Sequence, residues 1–240
     1  MYNMKIEILF PEFCNLYGDI SNIKYLKKCL SNQKVKYIET SFDMEPSFVT
    51  QDINFIYLGP MTENRQEKVI KKLMPYKKRI EELIEKNTVF LFTGNALEIL
   101  GKYIENEDRI KIEALGIFDV YAKRNMMHRH NSLFIGEYNN IKIVGFKSQF
   151  TMMYGNNTDN YFLKVEKGIG INKESKLEGI NKNNFFGTYL TGPILILNPL
   201  FTKKILQIMG VDKPKLYLEK DLKAAYEERL RDFYRVPYMK

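Results

Sequence analysis

A chain of 240 residues with 45% hydrophobic content is long enough for one large α/β domain and apolar enough to bury its core. No run approaches the roughly 18 consecutive apolar residues of a membrane span, and the start, Met1-Tyr2-Asn3-Met4-Lys5-Ile6-Glu7, lacks the basic and apolar regions of a signal peptide, so a cytoplasmic location is expected. The net charge of +8 is spread along the chain without a dense basic run interleaved with aromatics, which argues against nucleic acid, and Cys14 and Cys29 form neither a CxxC pair nor a disulfide framework.

The first third alternates short apolar runs with amphipathic stretches, the signature of strands joined through helices into a parallel sheet. Lys5 to Phe10 reads as a first strand, Ile20 to Leu30 as a helix and Val35 to Ile38 as a second strand. Ile53 to Leu58 is a third strand ended by Gly59-Pro60, and Asn64 to Lys86 is helical with a break near Pro75. Thr88 to Phe92 is nearly all β-branched or aromatic, as a strand buried on both faces should be. After it, Thr93-Gly94-Asn95 forms a turn into a helical stretch that Gly101 terminates. In a doubly wound sheet this turn, beyond a strand's carboxyl end, is where a ligand site is sought.

The second half changes character. Leu133 to Gly136, Ile141 to Phe146 and Phe185 to Leu190 are short β segments between turns, which predicts antiparallel additions to the sheet. Pro199 to Met209 is amphipathic, and Leu218 to Tyr234 is a highly charged helix that lies on the surface or on a partner. No repeat or low-complexity linker interrupts the chain, so a single domain over residues 1–240 is expected, with a C-terminal helical extension at about 215–240.

Four segments carry a family resemblance: Cys14-Asn15-Leu16-Tyr17-Gly18-Asp19-Ile20-Ser21-Asn22-Ile23, Leu115-Gly116-Ile117-Phe118-Asp119, Ile143-Val144-Gly145-Phe146 and Phe186-Gly187-Thr188-Tyr189-Leu190-Thr191-Gly192-Pro193. In these segments the chain resembles the CobB/CobQ-like class I glutamine amidotransferases, and among them the glutaminase subunits of lipid II isoglutaminyl synthase. The resemblance implies a flavodoxin-like fold with a mainly parallel central sheet and helices on both faces. It also implies a Mur-ligase-like ATP-dependent synthetase as partner in peptidoglycan precursor amidation, a glutamine-like small molecule as ligand, and no cofactor.

Such enzymes hold a thiolate at a strand-to-helix turn, with a histidine as base and backbone amides for the oxyanion. The resemblance aligns Gly94 with the cysteine, Glu98 with a glutamine and Thr191 with the histidine, which threonine cannot replace as a base near neutrality. The oxyanion loop reads Gly59-Pro60-Met61-Thr62, where proline removes a donor, and a stretch that carries histidine and arginine in the family reads Lys147-Ser148-Gln149-Phe150-Thr151-Met152-Met153-Tyr154. Loss of a nucleophile or base alone costs on the order of 10⁴ to 10⁶ in rate, so the standard glutaminase activity is expected to be absent and no catalytic residue to remain intact. Tyr17, Asp19, Asn22, Gly59, Thr93, Asn95, Glu98 and Gln149 are the expected crevice residues.

Two alternatives stand beside a degenerate, partner-binding subunit. The altered crevice, with Glu98, Gln149 and Thr191 as new polar groups, can serve as a small-molecule sensor, or the chain can remain an amidotransferase with Thr93 or Cys14 as nucleophile. Thr93 lacks an activating base within its motif, and Cys14 reads better as a small buried hydrophobe than as a nucleophile. Asp19 with Asn22 fits either a cap on the first helix or the crevice. His128 and His130 have neither metal-pair spacing nor a carboxylate cluster nearby, so no metal site is expected. Met126-Met127 and Met152-Met153 read as core or contact filler.

Overall fold

The computed structural model describes residues 4–237; the reading of Met1-Tyr2-Asn3 and the last three residues of the expected C-terminal extension lie outside them. In chain order, β1 (Met4–Leu9), α1 (Ser21–Cys29), β2 (Val35–Thr40), β3 (Phe55–Leu58), α2 (Glu63–Leu73), α3 (Lys77–Glu85) and β4 (Val89–Thr93) build the first part. A single 3-10 turn at Met74–Tyr76 separates α2 from α3, where Pro75 cannot donate to the helical ladder.

The second part contains β5 (Tyr103–Glu105), β6 (Lys111–Glu113), β7 (Val120–Arg124), β8 (His130–Tyr138), β9 (Ile141–Gln149), β10 (Thr151–Gly155), β11 (Leu163–Lys167), β12 (Leu177–Glu178), β13 (Ile180–Lys182) and β14 (Phe185–Thr188). Three helices follow: α4 (Ile194–Leu197), α5 (Pro199–Ile208) and α6 (Glu219–Arg235).

The central sheet has the order β13-β14-β4-β3-β1-β2, parallel except for β13 at its edge. Its middle strands β3 and β4 are buried at every position, which is why they are apolar apart from the hydroxyls of Tyr57 and Thr93. Helices α2 and α3 cover one face through Val69, Ile70, Leu73, Ile80 and Leu83. On the other face α1, α4 and α5 contribute Ile23, Leu26, Leu195 and Ile205.

The antiparallel additions expected of the second half attach to this sheet only at β13, whereas β14 joins it in parallel beside β4. The other strands form two further four-stranded sheets, β10-β7-β5-β6 and β12-β11-β8-β9. Helix α6 docks on β8 and β9 rather than lying free: Tyr226 donates its hydroxyl to Lys142 O at 2.8 Å, and Phe233 packs edge-on against Phe146 at 5.3 Å.

Two local expectations need correction. Residues Gly94–Leu100 form 3-10 turns instead of an α-helix, and every one except Asn95 is buried. Gly101 closes this segment with φ −74°, outside the left-handed region. A glycine is needed there because a Cβ would lie 2.9 Å from Val120 O.

Candidate active site

Strands β3, β4 and β14 end side by side, and the chain turns sharply after each. The turns enclose a cavity of about 290 Å³ lined by Tyr17, Pro60, Met61, Gly94, Asn95, Glu98, Arg129, Ser148, Gln149, Phe150, Thr151, Tyr189 and Thr191, among others. Asn95 ties two of these turns together: Met61 N donates to Asn95 Oδ1 at 3.0 Å, and Asn95 Nδ2 donates to Met61 O at 2.8 Å. No cysteine or histidine is among the described lining residues.

Gly94 sits at the mouth of the β4 turn with φ +59°. A Cβ built on it would lie 2.6 Å from Pro60 Cβ, so both the backbone angle and the neighbouring loop favour glycine. Thr191 forms a bridge to Phe146 in β9, its amide donating to Phe146 O at 2.9 Å, and its side chain is nearly buried.

Of the positions nominated from sequence, Tyr17, Gly94, Asn95, Glu98, Gln149 and Thr191 line this cavity, whereas Asp19, Asn22, Gly59 and Thr93 do not. Gly59 is packed so tightly that a Cβ would lie 2.4 Å from Cys14 O. The other three form a buried knot beneath the cavity floor. Asp19 Oδ2 accepts from Thr93 Oγ1 at 2.5 Å, Tyr57 Oη at 2.8 Å and Asn22 Nδ2 at 3.1 Å. Burial pushes the Asp19 carboxyl up to about 6 despite these donors.

Asp19 therefore turns inward instead of capping α1, whose N-cap residue is Ile20 with no side-chain cap. Asn22 adds a long-range tie, its Oδ1 accepting from Leu195 N at 2.9 Å. Thr93 does have a carboxylate beside its hydroxyl, contributed by a segment 74 residues away, but the side chain is fully buried and off the cavity. Cys14 is buried with its sulfur 3.7 Å from Met61 Sδ, and burial pushes its thiol well above the ordinary range, which disfavours a thiolate.

Glu98, at the cavity's inner end, belongs to a network that spacing in the sequence did not reveal. Its Oε2 accepts from Gln66 Nε2 at 2.7 Å and its Oε1 from Tyr189 Oη at 2.9 Å, while Arg124 donates to Gln66 Oε1 at 3.0 Å and to Glu67 at 2.8 Å. Burial raises the Glu98 carboxyl to about 7, with Gln66, Tyr189 and Arg124 partly offsetting it. Gln149 donates Nε2 to Thr151 O at 2.6 Å, and its buried Oε1 has no hydrogen-bond partner.

Lys147, in the stretch from Lys147 to Tyr154 singled out in the sequence, points away from the cavity. It is fully buried behind Tyr189, donating to Glu178 Oε2 at 2.5 Å and Gly170 O at 2.6 Å. Glu178 Oε1 in turn accepts from Thr188 Oγ1 at 3.0 Å and Tyr189 N at 2.8 Å, so this ion pair braces the strand that leads to Thr191.

A family model for the CobB/CobQ-like glutamine amidotransferase domain matches residues 5–198. The chain belongs to this family. Over 210 residues it is 28% identical to the glutamine-hydrolysing lipid II isoglutaminyl synthase subunit GatD of Staphylococcus aureus strain N315, covering 86% of this chain and 84% of that one. The corresponding GatD subunit of Streptococcus pneumoniae is 26% identical over 206 residues, covering 82% and 76%. Among solved structures, a glutamine amidotransferase superposes with a TM-score of 0.56 at 12% identity, covering 85% of this chain and 99% of that one. A second, from Thermotoga maritima, gives 0.52 at 11% identity, with coverage of 97% and 94%. The fold is thus that of the class I glutamine amidotransferases, and the cavity at Gly94 lies at the carboxyl ends of the strands, where this fold class places its ligands.

Proposed function

We propose that this family member is a catalytically degenerate glutamine amidotransferase-like subunit that serves a Mur-ligase-like, ATP-dependent synthetase in peptidoglycan precursor amidation, in the cytoplasm. The observation that carries the reading is Gly94. It holds the positive-φ turn at the end of β4, faces Thr191 across one cavity, and has Pro60 where a nucleophile's Cβ would project. A glycine and a threonine supply neither a thiolate nor a base that titrates near neutrality. The fallback nucleophiles Cys14 and Thr93 are buried away from the cavity. Similarity to the two GatD subunits over most of their length supports the cell-wall setting and the synthetase partner.

The test joins two measurements. The chain is expected to co-purify with the product of a neighbouring ligase-like gene, and the complex to release no ammonia from glutamine above background. A strictly monomeric chain beside such a gene product sinks the partner reading; robust ammonia release sinks the degeneracy.

A second reading, ligand sensing without turnover, is supported by the unmet acceptor Gln149 Oε1 in the cavity wall. An amide or amino ligand that donates there would raise thermal stability, by roughly 2.7 kcal/mol at 100 times its dissociation constant. A screen of amino acids that leaves the melting temperature unchanged removes this reading.

A further inference from the structure

Next to the cavity, and separate from the proposed subunit role, lies an open groove of about 730 Å³ between β10, the loop before β8 and the loop after residue 170. It contains both histidines of the chain, His128 and His130. Lys123, Arg129 and Lys173 also face it, against a single carboxylate, Glu174. The groove meets the cavity at Arg129 and Phe150, which line both.

Arg124, which also lines the groove, is held by Glu67 at 2.8 Å, but two other cations are not spent on internal pairs. Neither Arg129 nor Lys173 has a carboxylate within ion-pairing distance among the described residues, and Lys123 reaches only Glu105, at 3.7 Å. The Arg129 guanidinium lies over the Phe150 ring at 4.4 Å, a stacking that orients the group and leaves its N–H edge for a planar or tetrahedral anion. Clefts lined by one sign of charge concentrate counter-ions, and this one is of a size that holds a small-molecule ligand.

An aromatic wall adjoins these cations, with Lys123 Nζ 5.7 Å from the centre of the Tyr154 ring. Tyr154 stacks on Tyr121 at 5.8 Å, and Tyr121 on Tyr103 at 5.0 Å, a ladder across β10, β7 and β5. Met152 stands on the same face of β10 as Tyr154 and also lines the groove. A cationic end beside an aromatic and thioether wall matches a ligand with an anionic end and a flat ring.

We propose that this groove binds a nucleoside diphosphate, with the diphosphate at Arg129, Lys173 and the two imidazoles and the base against Tyr154 and Met152. Among the described residues the His128 ring hydrogen-bonds only Asn125 Oδ1, 3.2 Å away, and the His130 ring only Ser132 Oγ, 3.0 Å away, so each has a second ring nitrogen for a phosphate oxygen. A concave cationic site of this kind favours a compact polyanion over an acidic protein segment, which would need a broad convex contact.

Because the chain has only two histidines, their ring signals in a proton–carbon NMR spectrum report on this groove alone. The intact protein is titrated with ADP, inorganic pyrophosphate and sodium sulfate at matched ionic strength. ADP is expected to shift both imidazoles and to bind about tenfold more tightly than pyrophosphate. Lys173→Gln and Arg129→Gln are expected to weaken ADP about tenfold each, and Tyr154→Leu to bring ADP down to the pyrophosphate level. Equal shifts with sulfate, or none with millimolar ADP, overturn the proposal. Pyrophosphate binding as tightly as ADP overturns the nucleoside assignment. All three substitutions are at the surface or rim, and an unchanged melting temperature separates lost binding from lost folding.

Discussion

Thr93 donates its hydroxyl to Asp19 Oδ2 across 2.5 Å, joining the last residue of β4 to the segment before α1 beneath the cavity floor. Tyr57 and Asn22 also bond the Asp19 backbone carbonyl, at 2.9 Å each, so they keep one acceptor if the carboxylate is removed, whereas Thr93 keeps none from this knot. Asp19→Ala should therefore destabilise the protein by about 2–4 kcal/mol, as an orphaned buried hydroxyl and a small cavity demand. Thr93→Val in the Asp19→Ala background removes the orphan and should recover about 1 kcal/mol or more. Urea denaturation of the four proteins checks this, and strictly additive costs would show that the short contact contributes nothing.

Glu98 gives a pH dependence of defined sign. Its folded carboxyl titrates at about 7 against an ordinary 4.5, so the folded chain holds the proton more tightly than the unfolded one. Stability from this group is full below about 4.5, falls as pH rises towards about 7 and is then constant. Asp19 and Glu7 are raised in the same direction, so the wild-type curve alone does not isolate Glu98. Glu98→Gln keeps both contacts, accepting from Gln66 and donating to Tyr189. The stability difference should shift in the variant's favour by a few kcal/mol between pH 5 and pH 8. A pH-independent difference would show that Glu98 stays ionised throughout.

The Lys147–Glu178 pair has both side chains at 0% exposure. Burial pushes the lysine down while Glu178 opposes the shift. Lys147→Met leaves a carboxylate in the interior with only Thr188 and Tyr189 as donors, and should cost about 3–5 kcal/mol. Adding Glu178→Gln removes the stranded charge and should restore most of the loss. Chemical denaturation of the single and double variants measures it. A double variant as unstable as the single would mean that the charge is not what the lysine balances.

The central sheet was legible because β3 and β4 are buried on both faces, and such strands must be continuous apolar runs. The two outer sheets were not, since pairings such as β10 with β7 and β5 with β7 depend on register between short, mixed-polarity segments. At the site, the turn at Gly94 and its facing Thr191 followed from motif register. The knot around Asp19 did not, because a polar residue just before a helix reads as a cap until Tyr57 and Thr93 are seen to surround it. Lys147 and Glu178 were hidden for a related reason: charged side chains carry a strong expectation of exposure, and only the fold brings the two together.

The sharpest prediction concerns the proposed loss of a cysteine at position 94 and a histidine at position 191. Gly94→Cys places a side chain at φ +59°, a conformation that costs a non-glycine residue about 1–3 kcal/mol, and aims its Cβ to within 2.6 Å of Pro60 Cβ. Thr191→His puts an imidazole in the cavity wall, where the unpaired Gln149 Oε1 is an open acceptor for a ring N–H, but a neutral amide does not stabilise the imidazolium as a carboxylate partner does. Glu98 stands at the inner end of the cavity, and when ionised it opposes thiolate formation by like-charge repulsion. The double variant should fold less stably than the parent and release ammonia from glutamine no faster than background. Adding Pro60→Gly, which clears the contact and returns a backbone donor to the loop, should recover stability before it recovers any activity. Turnover by the double variant at about 1 per second or more, a rate typical of enzymes, would mean that the rest of the site is intact and that the loop from Gly59 to Thr62 still serves the oxyanion.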